Sequence, residues 1–363
     1  MNFKKALSIP FDTPFFVIDK DQVEANINKM QSLAREANKN LRPHVKTHKI
    51  PELARMQLAS GAKGICVQKV AEAEVMYRGS IKDIFVTNEI YGTKFYRLAN
   101  LISRGADMKI AVDNYASVKQ LSDVCRFFGI QAHVMIDVNV GMNRCGIDPQ
   151  DFHNLLQSIL KTPNVILDGI MAYDGHVNYP EPNKRKEEVE REEKILLPLI
   201  DEMKGNGISD PVISVGGTPT AEFWAKSSNV TELQPGTYVH YDLHYMNMGL
   251  CSLNEIAAGV VATVTSEKIG ERLVLDAGYK SVSLDQGVYP SAFDENGIEY
   301  RVISMSEEHT VLKSIDYRSY LGKRFVILPY HICTTTDLWD TAYAFSEKSD
   351  FEKMVIQARG KRE

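Results

Sequence analysis

Residues 41–49 read Leu41-Arg-Pro-His-Val-Lys-Thr-His-Lys49 and are the most informative stretch of this chain. The stretch begins as a predicted β-strand and runs into a predicted helix that opens at Pro51. Two histidines, one arginine and two lysines fall within eight residues at that junction. A lysine that is crowded by cations and shielded from water has a lowered pKa and can attack a carbonyl as the neutral amine. A solvated basic loop is the alternative that these residues leave open.

Outward from this stretch, strand-like and helix-like segments alternate over the first two thirds of the chain. The predicted strands are 15–19, 41–46, 64–67, 83–87, 109–113, 132–138, 165–173, 212–216 and 231–234. Many are continuous Val, Ile and Leu runs, which indicates a parallel sheet buried on both faces by helices. Eight strands close a (β/α)8 barrel, so one signal is surplus, and we expect it to be the first.

The pattern changes after residue 242, where short strands are separated by turn sequences. The predicted strands of this part are 255–265, 272–275, 280–284, 300–305, 309–313 and 324–328. This texture is typical of an antiparallel β-domain. We therefore predict an N-terminal segment (1–14) that associates with the β-domain, a barrel domain (15–242) and a C-terminal antiparallel β-domain (243–363).

Composition narrows the class of protein without identifying it. The 363 residues are 44% hydrophobic and 25% charged, which is typical of a globular protein of about two domains. A net charge of -5 argues against partners such as nucleic acid or an anionic membrane. No apolar run approaches the ~20 residues that span a bilayer, and the N-terminus lacks the apolar core of a signal peptide. Five scattered cysteines do not form a secreted disulfide pattern. We expect a cytoplasmic enzyme or binding protein.

Small residues follow the last two predicted barrel strands, in Ser214-Val-Gly-Gly-Thr-Pro-Thr220 and in Gln234-Pro-Gly-Thr-Tyr238. Small residues let backbone N–H groups approach an anion, and barrels commonly bind phosphate in these loops. The sequence predicts a phosphate site formed by Thr218, Gly236 and Thr237.

A second kind of motif lies in the predicted β-domain, in Leu328-Pro-Tyr-His-Ile-Cys-Thr-Thr-Thr-Asp337. His331 and Cys333 would point to the same side of an extended segment. An imidazole with a thiolate is a pair that zinc prefers, although a purely structural pair is the alternative.

These motifs, in this order and over nearly the whole chain, resemble the D-serine dehydratase and D-threonine aldolase family of alanine-racemase-like, fold type III pyridoxal-phosphate (PLP) enzymes. The resemblance implies that Lys46 binds PLP covalently, with Lys49 as the other candidate. It also implies that Gln68 faces the PLP ring and that Arg144, in a Gly-x-x-Arg-x-Gly turn, lies near the phenolic oxygen of PLP. A guanidinium suits that oxygen because it donates hydrogen bonds without titrating.

The segment Ala172-Tyr-Asp-Gly-His-Val-Asn-Tyr179 also resembles a motif of the family. By this resemblance Tyr173 contacts PLP and Tyr179 is a further candidate contact. His176 would be an acid or a base, with a loop histidine of no catalytic role as the alternative.

The resemblance implies a lyase that uses PLP and Zn²⁺, or another divalent metal, on small D-3-hydroxyamino acids, with a homodimer as the assembly. The dehydratases carry His-x-Cys and the aldolases more often His-x-Asp, so Cys333 favours dehydration to a 2-oxo acid and ammonia. Tyr330 departs from the family, which often has asparagine there. Retro-aldol cleavage to glycine and an aldehyde is the alternative. A racemase or a non-catalytic PLP carrier is less favoured.

Overall fold

The computed structural model describes residues 1–349 and 351–363. The strands are β1 (Phe15–Asp19), β2 (Asn40–Leu41), β3 (Ile65–Val67), β4 (Asp83–Val86), β5 (Asp107–Val112), β6 (Ala132–Asp137), β7 (Val165–Ala172), β8 (Val212–Val215), β9 (Glu232–Leu233), β10 (Ala258–Lys268), β11 (Arg272–Leu275), β12 (Ser291–Phe293), β13 (Glu299–Met305), β14 (Thr310–Lys313), β15 (Arg324–Leu328), β16 (Thr341–Ser346) and β17 (Ser349–Val355). The helices are α1 (Phe3–Leu7), α2 (Lys20–Glu36), α3 (Pro51–Ala59), α4 (Val70–Arg78), α5 (Lys94–Ser103), α6 (Tyr115–Phe128), α7 (Phe152–Leu160), α8 (Pro182–Gly205), α9 (Ala221–Trp224), α10 (Leu243–Asn247) and α11 (Ile332–Thr336).

The chain forms two compact units, which we describe separately. The barrel unit comprises Lys29–Lys46, Pro51–Gly236 and Lys361–Glu363. The β-unit comprises Met1–Asn28, Thr47–Ile50 and Thr237–Gly360.

In the described part of the barrel unit, eight strands pair in the order β2-β9-β8-β7-β6-β5-β4-β3. Every neighbouring pair is parallel. The two ends of this sheet are joined by a parallel bridge between His44 and Cys66 and by a 2.9 Å bond from the Cys66 N–H to the Pro43 carbonyl. The predicted (β/α)8 barrel is therefore confirmed.

A buried ion-pair group holds three barrel strands together. Arg42, next to β2, is 2% exposed and lies 2.9 Å from Glu232 of β9 and 2.5 Å from Asp83 of β4. Because a buried guanidinium is costly without partners, these two carboxylates make its burial possible.

The β-unit contains an antiparallel barrel-like sheet. Strands β10, β11, β14, β13, β12 and β15 each pair antiparallel with the next, and β15 pairs back with β10. The ladder of β10 shifts register between Val264 and Ser266, and the two parts of this long strand pair with β15 and with β11. The predicted antiparallel β-domain is confirmed.

The first strand signal is the surplus one. Strand β1 pairs with β10 and β16, so it belongs to the β-unit and not to the barrel. The compact units consequently divide the chain differently from the predicted barrel domain of 15–242, since residues up to Asn28 and from Thr237 fall in the β-unit.

The predicted strand at 280–284 is wrong. The N–H groups of Ser281 and Val282 donate to the Gly278 carbonyl in a turn, and the Ser283 N–H donates to the Thr335 hydroxyl. These N–H groups are satisfied by the turn and by Thr335, so they do not join a ladder. No helix in the described chain has the length and apolar character needed to cross a bilayer.

Candidate active site

A small cavity opens where several barrel strands end. It is lined by His44, Lys46, Gln68, Thr87, Arg144, Met171, Tyr173 and Gln234. Met171 is the second-to-last residue of β7. The other residues follow the carboxyl ends of their strands. Active sites of barrels form at this end because the loops that follow the strands converge there.

Two cations flank one phenol ring in this cavity. The Nζ atom of Lys46 lies 5.2 Å from the ring centre of Tyr173, and the guanidinium carbon of Arg144 lies 5.4 Å from the same centre. The structure thus brings together three of the residues that the sequence predicted for cofactor binding.

Hydrogen bonds hold the polar side chains next to Lys46 in place. The Lys46 N–H donates to Nδ1 of His44 at 3.3 Å, and Nε2 of His44 lies 3.1 Å from the Thr87 hydroxyl and 3.2 Å from Oε1 of Gln68. The Gln68 amide also donates to Asn88 at 3.1 Å. Gln68, which the family resemblance predicts to face the PLP ring, is therefore held at the cavity.

This donor set fits PLP. An amine that can react with an aldehyde, a guanidinium that can face a phenolate oxygen, and a fixed amide line one small cavity.

Glu72 has a structural role beside this cavity. Its carboxylate accepts hydrogen bonds from the Gln68 and Lys69 N–H groups at 2.7 and 3.2 Å. It therefore caps α4, and its negative charge interacts favourably with the helix dipole.

The loops predicted to bind phosphate lie side by side, because β8 and β9 pair up to Val215 and Leu233. Gly216 has φ +82°, and a Cβ there would lie 2.8 Å from the Trp224 ring, so only glycine fits this turn. Thr218 is buried in the loop. Gly236 ends the barrel unit and Thr237 begins the next segment of the β-unit.

Two predicted residues lie outside the Lys46 cavity. Tyr179 is 36% exposed, and its carbonyl accepts a 2.7 Å hydrogen bond from Arg185. Nε2 of His176 lies 3.3 Å from Oε1 of Glu192. The loop after β7 turns at Asp174, whose carbonyl accepts the Val177 N–H, and then leads into α8. The positions of both side chains follow from this turn.

An acidic pair that the sequence analysis did not identify lies near Arg144. Burial and the hydrogen bond with Glu89 raise the pKa of Asp137 well above its usual range. Burial also raises the pKa of the neighbouring Cys145 thiol to about 12. Cys145 is therefore a protonated thiol at neutral pH, which argues against its use as a nucleophile.

In the β-unit, His331 and Cys333 do not lie on an extended segment, so that prediction is wrong. His331 is the N-cap of α11 and Cys333 lies in the first turn of this helix. The Ile332 N–H between them donates to the buried Asp242 carboxylate at 3.1 Å, which starts the helix here. The two side chains are nevertheless close enough that Cys333 raises the pKa of His331.

The surroundings of this pair fit a metal site. Nδ1 of His331 lies 2.7 Å from Oδ2 of Asp285, which leaves the other ring nitrogen for an ion, as in carboxylate–histidine–metal arrangements. Burial lowers the pKa of His331, but the contacts with Cys333 and Asp285 outweigh it and raise the pKa to about 10. The Cys333 Sγ lies 3.4 Å from the hydroxyl of Thr47 and 3.8 Å from that of Thr237.

Sequence reasoning missed several residues of these sites. His44, Thr87 and Gln234 follow barrel strands, so their position was a signal that could have found them. Nothing in the sequence marks Asp285, because it comes from a distant turn.

The comparisons with known proteins agree with both units. Residues 18–243 match the family model for the N-terminal domain of alanine racemase, and residues 257–345 match a putative serine dehydratase domain. The fold is thus that of the alanine-racemase-like enzymes.

Close relatives narrow the family. The chain is 35% identical to a D-threonine aldolase of Arthrobacter sp. over 96% of this chain and 93% of the relative. It is 30% identical to a D-threo-3-hydroxyaspartate dehydratase of Delftia sp. over 90% of this chain and 92% of the relative. The crystal structure of D-threonine aldolase from Filomicrobium marinum superposes with a TM-score of 0.89 at 30% identity, covering 97% of both chains.

The chain therefore belongs to the D-serine dehydratase and D-threonine aldolase family, and the resemblance drawn from the sequence is confirmed. The family consists of PLP-dependent lyases that also require a metal ion. Two solved structures of D-threo-3-hydroxyaspartate dehydratase are single mutants, a histidine-to-alanine change and a cysteine-to-alanine change two positions further on. The cysteine mutant is in the metal-free form, and both structures have a TM-score of 0.88 to this chain.

Proposed function

We propose that this protein is a dehydratase of D-3-hydroxyamino acids such as D-serine and D-threonine, which forms a 2-oxo acid and ammonia with PLP and a divalent metal ion. The observation that carries the proposal is the His331–Cys333 pair, with Asp285 behind the histidine. It has the residue types and the spacing of the two positions mutated in the solved dehydratase relative.

In this proposal Lys46 holds PLP covalently, and Gln68, Arg144 and Tyr173 position it in the cavity. When bound, PLP accepts the electron pair that is left at Cα of an amino acid. Arg144 stabilises the negative phenolic oxygen, which a guanidinium does without losing its proton. The phosphate would be held by the loops that contain Thr218, Gly236 and Thr237.

Lys46 also moves a proton. With substrate and PLP bound, Nζ of Lys46 would be the base for the Cα proton. The hydrogen bond from the Lys46 N–H to His44 and the contacts of His44 with Thr87 and Gln68 keep this turn in place.

A metal ion would be held by His331 and Cys333, which leaves coordination positions for water or substrate. The ion would supply a Lewis acid to polarise the β-hydroxyl, which matters because hydroxide is a poor leaving group near neutral pH. The soft thiolate of Cys333 favours Zn²⁺ over harder ions.

Retro-aldol cleavage to glycine and an aldehyde is the second candidate. The 35% identity to a D-threonine aldolase over nearly the whole chain favours it. The cysteine at position 333 favours the dehydratase.

Replacement of the cofactor lysine tests the core of this proposal. Lys46→Ala should abolish the near-ultraviolet and visible absorbance of lysine-bound PLP, because no other amine in the cavity can replace Nζ. Lys49→Ala is the matched control, since Nζ of Lys49 pairs with Asp337 at 3.0 Å, and it should keep the absorbance. Absorbance retained in Lys46→Ala and lost in Lys49→Ala would contradict the assignment.

A further inference from the structure

A second group of metal-type side chains lies outside the Lys46 cavity, where the loop after β7 meets α8. His176 comes from the loop, and Glu188 and Glu192 are one turn apart on the same face of the helix. One potential ligand atom from each residue lies within 4.8 Å of the other two.

The central residue of this group is Glu192, which is fully buried. Neither of its carboxylate oxygens has a hydrogen-bond partner in the described part of the chain, and the same is true of both ring nitrogens of His176. Nε2 of His176 and Oε1 of Glu192 are 3.3 Å apart but lack hydrogen-bond geometry. Polar groups buried in this way are costly unless something satisfies them, and these two groups point at each other.

The charges around the group favour a cation. Arg191 donates to Glu188 at 2.7 Å and to the Val140 carbonyl at 3.1 Å. Its Nη2 is 4.0 Å from Oε1 of Glu192, which is too far for a hydrogen bond. Behind Glu192 lies the buried Asp174, which accepts a 2.8 Å hydrogen bond from Trp224. The hydrogen bonds of Arg191 thus go to Glu188 and to the Val140 carbonyl, and none goes to Glu192.

Without a cation, burial favours the protonated form of Glu192. Burial, together with the nearby Asp174, raises the pKa of Glu192 to about 9, so this carboxyl would be neutral at pH 7. Burial also lowers the pKa of His176, so the imidazole is free of its second proton and can act as a ligand.

The backbone at Gly141 packs closely against these ligands. Gly141 approaches so closely that a Cβ there would lie 2.9 Å from Nε2 of His176 and 2.8 Å from Nη2 of Arg191. Any larger residue at this position would push into the imidazole, so glycine is required where the loop packs against His176.

We propose that His176, Glu188 and Glu192 bind a divalent first-row transition-metal ion, at a site separate from His331 and Cys333. One imidazole and two carboxylates are a donor set that such ions accept. The ion would replace the proton on Glu192 and tie the loop after β7 to α8. In this assignment His176 is a metal ligand rather than an acid or base of the lyase reaction.

A titration with Co²⁺ counts the metal sites and distinguishes one from the other. The full-length PLP-loaded enzyme is stripped with a chelator and titrated with Co²⁺, and bound ions are counted by elemental analysis while the spectrum is recorded. The wild type should bind two ions per chain, one of which gives sulfur-to-cobalt charge-transfer absorption from Cys333. Cys333→Ala should bind one ion without this absorption, and Glu192→Gln should bind one ion with it.

Glu190→Gln is the matched control on the same helix, because Glu190 is exposed and pairs with Lys186. It should bind two ions like the wild type. His176→Gln is a second test variant, which decides the question if circular dichroism shows that Glu192→Gln is unfolded.

A wild type that binds one ion, with none left in Cys333→Ala, would overturn the proposal. Two ions retained in a folded Glu192→Gln or His176→Gln would overturn it as well. Because the charge-transfer absorption reports only the Cys333 site, failure here is distinguishable from failure of the proposed lyase metal site.

Discussion

Lys46 and Thr47 are neighbours in the chain but serve different units. Lys46 lines the barrel cavity, whereas the Thr47 hydroxyl lies 3.4 Å from the Cys333 sulfur of the β-unit. Both residues stand in the stretch 41–49 that the sequence analysis found most informative. The cluster of cations in this stretch predicts a reactive lysine, but the sequence gives no sign of Thr47, whose contact is with a cysteine far along the chain.

Asp285 orients His331, so its loss should weaken metal binding. Asp285→Asn is expected to lower the affinity for Zn²⁺ by about 10- to 100-fold, because an amide orients and polarises the imidazole less well than a carboxylate. Competition with a chromogenic chelator measures the change. Glu308→Gln, an exposed change elsewhere in the β-unit, is the control, and equal affinity of wild type and Asp285→Asn would count against the site.

The pair of His133 and Asp168 gives a pH signature of stability. The hydrogen bond to Asp168, 2.7 Å long, raises the pKa of His133 above its unfolded value of ~6.5. The paired cation therefore stabilises the fold fully below that pH, and the contribution is lost as pH rises through the raised pKa.

Asp168→Asn should consequently lower stability at low pH and much less at high pH. The side chain of His133 is 40% exposed, so solvent screening limits the effect to about 0.2–1 kcal/mol. Melting curves of both proteins from pH 5 to 9 measure it. A stability difference that grows with pH would contradict this account.

At the scale of elements, α11 shows why the metal pair was placed in the wrong local structure. Two residues at i and i+2 share a side of a strand but diverge on a helix. His331 keeps extended backbone angles (φ -128°, ψ 117°) as the N-cap, and only Cys333 is helical. A cap residue can therefore still face a residue in the first turn. The structure brings His331 and Cys333 together, and the Asp242 contact that starts the helix is non-local.

The buried arginine next to β2 should matter for stability. Arg42→Ala leaves Glu232 buried without its partner and should cost about 3–5 kcal/mol in the free energy of unfolding. Urea denaturation measures this cost.

Arg97→Ala is the matched control. Arg97 also forms a two-pronged pair, with Glu74 at 2.8 and 2.9 Å, but both side chains are partly exposed. Its loss should cost less than about 1 kcal/mol. Equal costs for the two variants would show that burial does not determine the contribution of Arg42.

For the whole molecule, the sequence predicted the architecture of both parts of the chain, because the spacing of hydrophobic residues depends only on residues that are close in sequence. Continuous apolar runs between helices indicated the parallel barrel, and short runs between turns indicated the antiparallel sheet. Pairing partners are not local, so the position of β1 between β10 and β16 was beyond sequence reasoning. The same holds for Glu192. The many charges of its helix are typical of a face exposed to solvent, but in the fold Glu192 is buried next to His176.

The most direct test of the proposed function is a product assay with purified enzyme, PLP and Zn²⁺ on D-serine and D-threonine. We expect a 2-oxo acid and ammonia from the D-amino acids, no product from the L-enantiomers, and loss of turnover on chelation. Glycine and an aldehyde from D-threonine, without a 2-oxo acid, would contradict the dehydratase assignment. Full turnover of metal-free enzyme would contradict the role of His331 and Cys333.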